Sequence, residues 1–214
     1  KQGAGGPTSA PVVVLYDPLL TTGTPARVSA ETGMNALAHC VEAAWSPHRT
    51  PEAEAIALAG ASTIHRGLPQ VVEDPSDLAA RTEVLEGAWL AGRCLLNAGM
   101  GVHHGLSQLV GGRTGLPHGL ANAILLAHSI RFNADAVPQS VAAIGAALGH
   151  PDDAAGAVDD LRARLGLPAT LAEAGVAEAE LAVVARLSQS NANVGRNPKP
   201  VSEDDALAIL RAAW

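Results

Sequence analysis

Side chains able to do chemistry cluster in two stretches of this 214-residue sequence. In GMNALAHCVEA, Asn35 and His39 stand four residues apart. On a helix that interval puts both on one face, where an amide oxygen and an imidazole can grip one metal ion. In GMGVHHGLSQLVGGRTGLPHGLANAILLAH, His104 and Gln108 repeat the interval, and His118 follows in Pro117-His118-Gly119 at the start of another helix. His39, His104 and His118, carried on separate helices, could converge on one site, and neutral imidazole suits zinc or ferrous iron. Asn35 is neutral, so the set holds no anionic ligand. His103 adjoins His104, and only one of the pair can share a face with Gln108. His48, His65, His128 and His150 have no such company and read as surface or packing residues.

Other motifs carry less. GMGVHHG misses the G-x-G-x-x-G dinucleotide spacing by one residue and follows a helix rather than a strand, and no G-x-x-x-x-G-K-[ST] phosphate loop is present. Ser107 lacks a nucleophile-elbow context. Gly111 to Gly115 reads as a surface turn containing Arg113, and Ser190 to Pro200 as a polar loop containing Arg196 and Lys199. Those three cations are the candidates for receiving a substrate carboxylate.

The elements that must position these groups are mostly helices. Thr50-Pro51 is an N-cap followed by a first helical residue, opening a helix through AEAIALAGASTIHRGL. Asp74-Pro75-Ser76 separates it from DLAARTEVLEGAWLAGRCLLNAG, Gly166 and Pro168 stop the helix in DDAAGAVDDLRARL, and Ser202 with Asp205 approximates a capping box. Roughly seven to nine helices with short connections are expected. One segment differs: Pro11 to Tyr16, PVVVLY, is continuous, apolar and β-branched, the pattern of a strand buried on both faces. Nothing later in the chain offers it a partner. It is either an extended arm on the helices or a strand of a sheet supplied elsewhere, by a longer polypeptide or by a second one.

Composition bounds the function. Hydrophobic residues make up 48% and charged residues 16%, enough apolar content for a large core. A net charge of −7 has the wrong sign for gripping phosphate backbones, and 2% aromatics leaves no stacking platform for nucleic acid. Cys40 and Cys94 cannot build a disulfide framework and read as buried thiols in a reducing compartment. With neither a membrane-length apolar run nor a signal-peptide pattern at the start, a cytoplasmic protein is expected.

Taken in order, VLYDPLLTTGTPARVSAETGMNALAHCVEA, HHGLSQLVGG, GLPHGLANAILLAH and NPKPVSEDDALAILRAAW resemble the iron-containing alcohol dehydrogenase superfamily, and more narrowly its maleylacetate reductase branch. The resemblance covers essentially the whole chain but only the C-terminal part of such enzymes. It implies a mainly α fold, the helical bundle domain of the dehydroquinate synthase-like fold, spanning residues 19–214. Residues 1–18 are then a strand and hinge toward an absent α/β domain that binds NAD(P)H. By position, Asn35, His39, His104 and His118 match the family's metal ligands. His104 and His118 are the expected catalytic residues, while Gln108 stands where the family usually has a histidine near the nicotinamide. Zinc or ferrous iron is implied, or a pocket that works without metal through an imidazole acid. The expected reaction is hydride transfer from NAD(P)H to a small carboxylated substrate, in a homodimer of the full enzyme, with this chain inactive alone. A standalone or split helical domain used for binding or non-redox chemistry is the alternative.

Overall fold

The computed structural model describes residues 12–214. Among these residues the fold is mainly α, with helices α1 (Ala26–Trp45), α2 (Pro51–Glu73), α3 (Leu78–Ala98), α4 (Val102–Thr114), α5 (His118–Asn133), α6 (Pro138–Ala147), α7 (Ala154–Arg164), α8 (Ala179–Ser188) and α9 (Glu203–Ala212). Short 3-10 turns lie at Pro18–Thr21 and Val194–Arg196.

Helix α1 is the axis. It touches α2, α3, α4, α5 and α6, and the apolar side chains Met34, Leu37, Val41 and Trp45 on it are essentially solvent-free. A helix covered on all sides need not be amphipathic, which accounts for its alanine-rich sequence. Helices α2 and α3 pack tightly together where side chains are missing. A Cβ on Gly87 would sit 2.5 Å from Ile64 Cγ1, and one on Gly60 would sit 2.8 Å from Cys40 Sγ. Helix α4 runs beside α5 and α8, and α8 lies against α9.

The expected helix starts are present. Thr50 Oγ1 accepts from Ala53 N at 3.1 Å, and Ser202 and Asp205 cap each other's backbone reciprocally. Gly166, at φ +66°, follows the end of α7. Helix α2 runs through Pro69 to Glu73 and ends at Asp74, where the sequence reading separates it from the next helix; the full burial of Leu68 and Val71 offsets the one backbone donor that Pro69 lacks. One boundary differs from the sequence reading. Gly111 to Thr114 is the last turn of α4 rather than a linker, closed by Gly115 in the left-handed region at φ +76°.

Of the segment Pro11–Tyr16, expected as an arm on the helices or as a strand of a sheet supplied elsewhere, only residues 12–16 are described. Pro11 lies outside the described residues, and residues 12–16 are irregular, with Val12 99% and Leu15 91% exposed. A strand requires ladder partners, and no β-strand exists among the described residues to supply them. No helix among them is long and apolar enough to cross a membrane.

Candidate functional site

The site is built on the start of α4. Its N-cap, Gly101, has no side chain, so the first amides of the helix must find acceptors elsewhere. Val102 N donates to Asn197 Oδ1 at 3.2 Å, His103 N to Glu42 Oε1 at 3.0 Å and His104 N to Glu42 Oε2 at 3.3 Å. The same Glu42 Oε2 lies 2.7 Å from His104 Nδ1. Asn197 is in turn gripped by Asn133: Asn197 Nδ2 donates to Asn133 Oδ1 at 2.8 Å, and Asn133 Nδ2 donates back to Asn197 Oδ1 at 3.1 Å. A Cβ on Gly101 would come within 3.0 Å of both Glu42 Oε1 and Asn197 Oδ1. The glycine-rich GMGVHHG run is thus a tertiary cap rather than a dinucleotide loop.

Three of the predicted histidines do gather. The His39 and His104 rings stack with centroids 4.1 Å apart and planes 26° from parallel. The His104 and His118 centroids are 5.9 Å apart at 53°. They come from α1, α4 and the first residue of α5. His104 is buried, His39 and Asn35 are half-buried, and His118 and Gln108 are exposed. His39 Nδ1 sits 3.1 Å from Met100 Sδ. Two buried polar atoms here, His104 Nε2 and Asn35 Oδ1, have no hydrogen-bond partner.

Burial keeps these rings uncharged. His39 is lowered to about 3 by burial first and by His104 next, and His104 is lowered to about 3 by burial and by His118. Burial raises the Glu42 carboxyl, while His103 and the amides of Gly101, His104 and His103 oppose that rise.

The arrangement does not fit zinc or ferrous iron. A lone pair lies in the plane of its ring, and two nearly parallel rings stacked face to face cannot both aim at an ion about 2 Å from each nitrogen. Among the described residues, no three His, Cys, Asp or Glu side chains are placed to hold one ion. Asn35 adds no charge. The expected ligand set of Asn35, His39, His104 and His118 is therefore together in space but not arranged as a cage.

His103 faces away into the core. Its Nε2 lies 2.6 Å from Asn122 Oδ1 and its Nδ1 3.4 Å from Ser129 Oγ, both buried. Its role is packing between α4 and α5. Two of the expected substrate cations have other partners. Arg113 pairs with Glu180 at 2.6 Å, tying α4 to α8, and Lys199 pairs with Asp135 at 2.6 Å while lying over the Phe132 ring. Arg196 is exposed on the 3-10 turn whose preceding residue, Asn193, donates to Gln108 Oε1 at 3.2 Å. Sequence reasoning missed Glu42, Met100, Asn122 and Asn197. A signal did exist for Glu42, an acidic residue three positions after His39 within the otherwise apolar stretch CVEAAW.

A helical domain with imidazoles from three helices at one edge defines the class. Residues 29–214 match the Fe-containing alcohol dehydrogenase family, C-terminal, and the chain belongs to that family. Among its relatives, the maleylacetate reductase of Rhizobium sp. (strain MTP-10005) is 39% identical over 209 residues, covering 98% of this chain and 58% of that protein. Maleylacetate reductase 1 of Rhodococcus opacus is 37% identical over 204 residues, covering 95% of this chain and 56% of that one. The crystal structure of maleylacetate reductase from Agrobacterium tumefaciens superposes with a TM-score of 0.91 at 37% identity, covering 98% of this chain and 59% of that one. The chain thus spans a little over half the length of these relatives.

Proposed function

We propose that this chain forms one wall of the active site of an NAD(P)H-dependent reductase acting on a small, electron-poor, carboxylated substrate of the maleylacetate kind. The observation that carries this reading is the gathering of His39, His104 and His118 beside two unpartnered buried acceptors. Similarity to maleylacetate reductases over nearly the whole chain supports the substrate class.

Reducing a carbon–carbon double bond conjugated to a carbonyl moves negative charge onto the carbonyl oxygen, and that oxygen needs a donor. NAD(P)H, when bound, supplies the hydride. No phosphate-cradling motif occurs in this sequence. The nucleotide-binding portion comes from an N-terminal domain or a separate subunit. A neutral imidazole N–H can polarise an oxygen without carrying net charge. His118, which is exposed, is the donor to the developing enolate, and His104 Nε2 orients a substrate or water O–H. Gln108 cannot ionise, so no proton passes through it. Arg196 is the candidate for a substrate carboxylate. The working enzyme is read as a cytoplasmic homodimer, with 19–214 as the helical domain; the strand and hinge assigned to residues 1–18 lie for 1–11 outside the described residues.

The test is NADH consumption with maleylacetate, first by the chain alone and then by the chain joined to a nucleotide-binding domain of a related reductase. Turnover only in the joined form supports the reading. Turnover by the chain alone, or in neither form, contradicts it.

A further inference from the structure

We infer that Glu42 is a positioning residue, locking the His104 ring in the tautomer that carries its proton on Nδ1 and so leaving a bare Nε2 lone pair within the cluster of His39, His104 and His118. Its meaning for catalysis rests on the reductase reading above; the tautomer itself does not.

Four observations converge on Glu42. Its side chain is entirely buried on α1, one turn beyond His39. It receives two consecutive backbone N–H groups at the start of α4, from His103 and His104. That position is the positive end of the helix, which favours an anionic, acceptor-only carboxylate. Burial draws the Glu42 carboxyl toward its protonated form, while the amide N–H bonds and the helix end oppose that. As a carboxylate 2.7 Å from His104 Nδ1 it places the ring proton between them. The opposite nitrogen, Nε2, is buried without any partner. Were Nε2 protonated, a donor would be stranded there and Nδ1 would face the carboxylate lone pair to lone pair, a doubly unfavourable contact.

Glu42 therefore does two jobs with one carboxylate. It caps α4, whose N-cap Gly101 cannot do so itself, and it fixes which nitrogen of the buried His104 imidazole carries the proton. The neighbouring ring lacks this anchor: His39 Nδ1 meets only the thioether of Met100, a weak acceptor. The lock is specific to His104.

The experiment is nitrogen-15 NMR of the ring-labelled chain, which reads the protonation of each imidazole nitrogen separately. In the native chain His104 is expected to show a protonated Nδ1 and a lone-pair Nε2. The informative variant is Glu42→Gln, which keeps shape and volume. Its amide oxygen takes over acceptance from His103 N–H, leaving the NH2 group to face Nδ1, so the His104 tautomer should invert to Nε2–H. A merely structural cap would weaken the fold without inverting the ring. Glu42→Asp, which keeps an acceptor-only carboxylate, should retain the native tautomer wherever the chain folds. A native His104 protonated at Nε2, or a Glu42→Gln chain with unchanged tautomer, overturns the proposal. If the ring inverts as expected while the native chain joined to a nucleotide-binding domain shows no reductase turnover, the positioning stands and the functional reading fails.

Discussion

Gly119 packs directly on the backbone of Glu31. A Cβ at that position would overlap the Glu31 carbonyl oxygen and lie 2.6 Å from its carbonyl carbon. This approach seats the start of α5 on α1 and brings His118, one residue earlier, to the two rings already held there. Backbone atoms cannot swing aside as a side-chain tip can. Gly119→Ala should therefore cost about 3 kcal/mol and separate His118 from His104. Urea unfolding measures the first effect, and a cost below about 0.5 kcal/mol would show that the approach is not needed.

Gly101→Ala tests the cap on α4. The added methyl would meet Glu42 Oε1 and Asn197 Oδ1 at 3.0 Å, and both oxygens are already held, one by His103 N and the other by Val102 N and Asn133 Nδ2. Neither can retreat without breaking a buried hydrogen bond. A loss of about 2 kcal/mol is expected, with the His104 ring disturbed as well. A variant as stable as the native chain would contradict the capping role.

His103 and His118 should separate stability from activity. His103 is fully buried against Asn122, so His103→Ala should lower stability by about 3 kcal/mol. His118 is exposed. His118→Ala should leave unfolding within about 1 kcal/mol of native and reduce turnover of the joined enzyme by about 100-fold or more. The reverse pattern, a stable but inactive His103 variant, would exchange the roles assigned to the two rings.

Stability should fall as the solution is acidified through the imidazole range. His39, His103 and His104 are each lowered to about 3 in the folded chain, mainly by burial, against about 6.5 when unfolded. Between those values the unfolded state binds more protons, so acid favours unfolding, by up to about 1.4 kcal/mol per pH unit for each ring. The stabilisation is complete above pH 6.5 and is lost on the way down to about 3. Glu42, whose carboxyl is raised by burial, acts in the opposite sense, as one group against three. Urea midpoints at pH 7.5 and 5.5 measure the net effect, and equal midpoints would show that the rings titrate as freely in the fold as out of it.

What was readable in the sequence follows from where the determinants lie. Local chemistry announced itself: Thr50-Pro51 and Ser202–Asp205 start helices through contacts three residues long, and they do so in the structure. The gathering of His39, His104 and His118 was legible through the resemblance and their helical spacing. What sets the rings' orientation was not, because it depends on partners far away in the chain. Glu42 reaches His104 across 62 positions and Asn197 reaches Val102 across 95, and no periodicity encodes such pairs. Pro69 shows the same balance within α2: its local rule ends a helix, while the burial of Leu68 and Val71 on both sides of it keeps α2 intact. The segment before Tyr16 is the converse case, since its apolar pattern asks for a neighbouring strand and none lies among the described residues.

All of this turns on whether imidazoles from α1, α4 and α5 line one and the same cleft. Titrating maleylacetate into the ring-labelled chain joined to a nucleotide-binding domain, with every histidine observed by nitrogen-15 NMR, asks that directly. His39, His104 and His118 should shift together along a single binding curve while His65, His128 and His150 stay still. Separate curves for the three rings, or movement of only one of them, would mean that their proximity serves packing and nothing more.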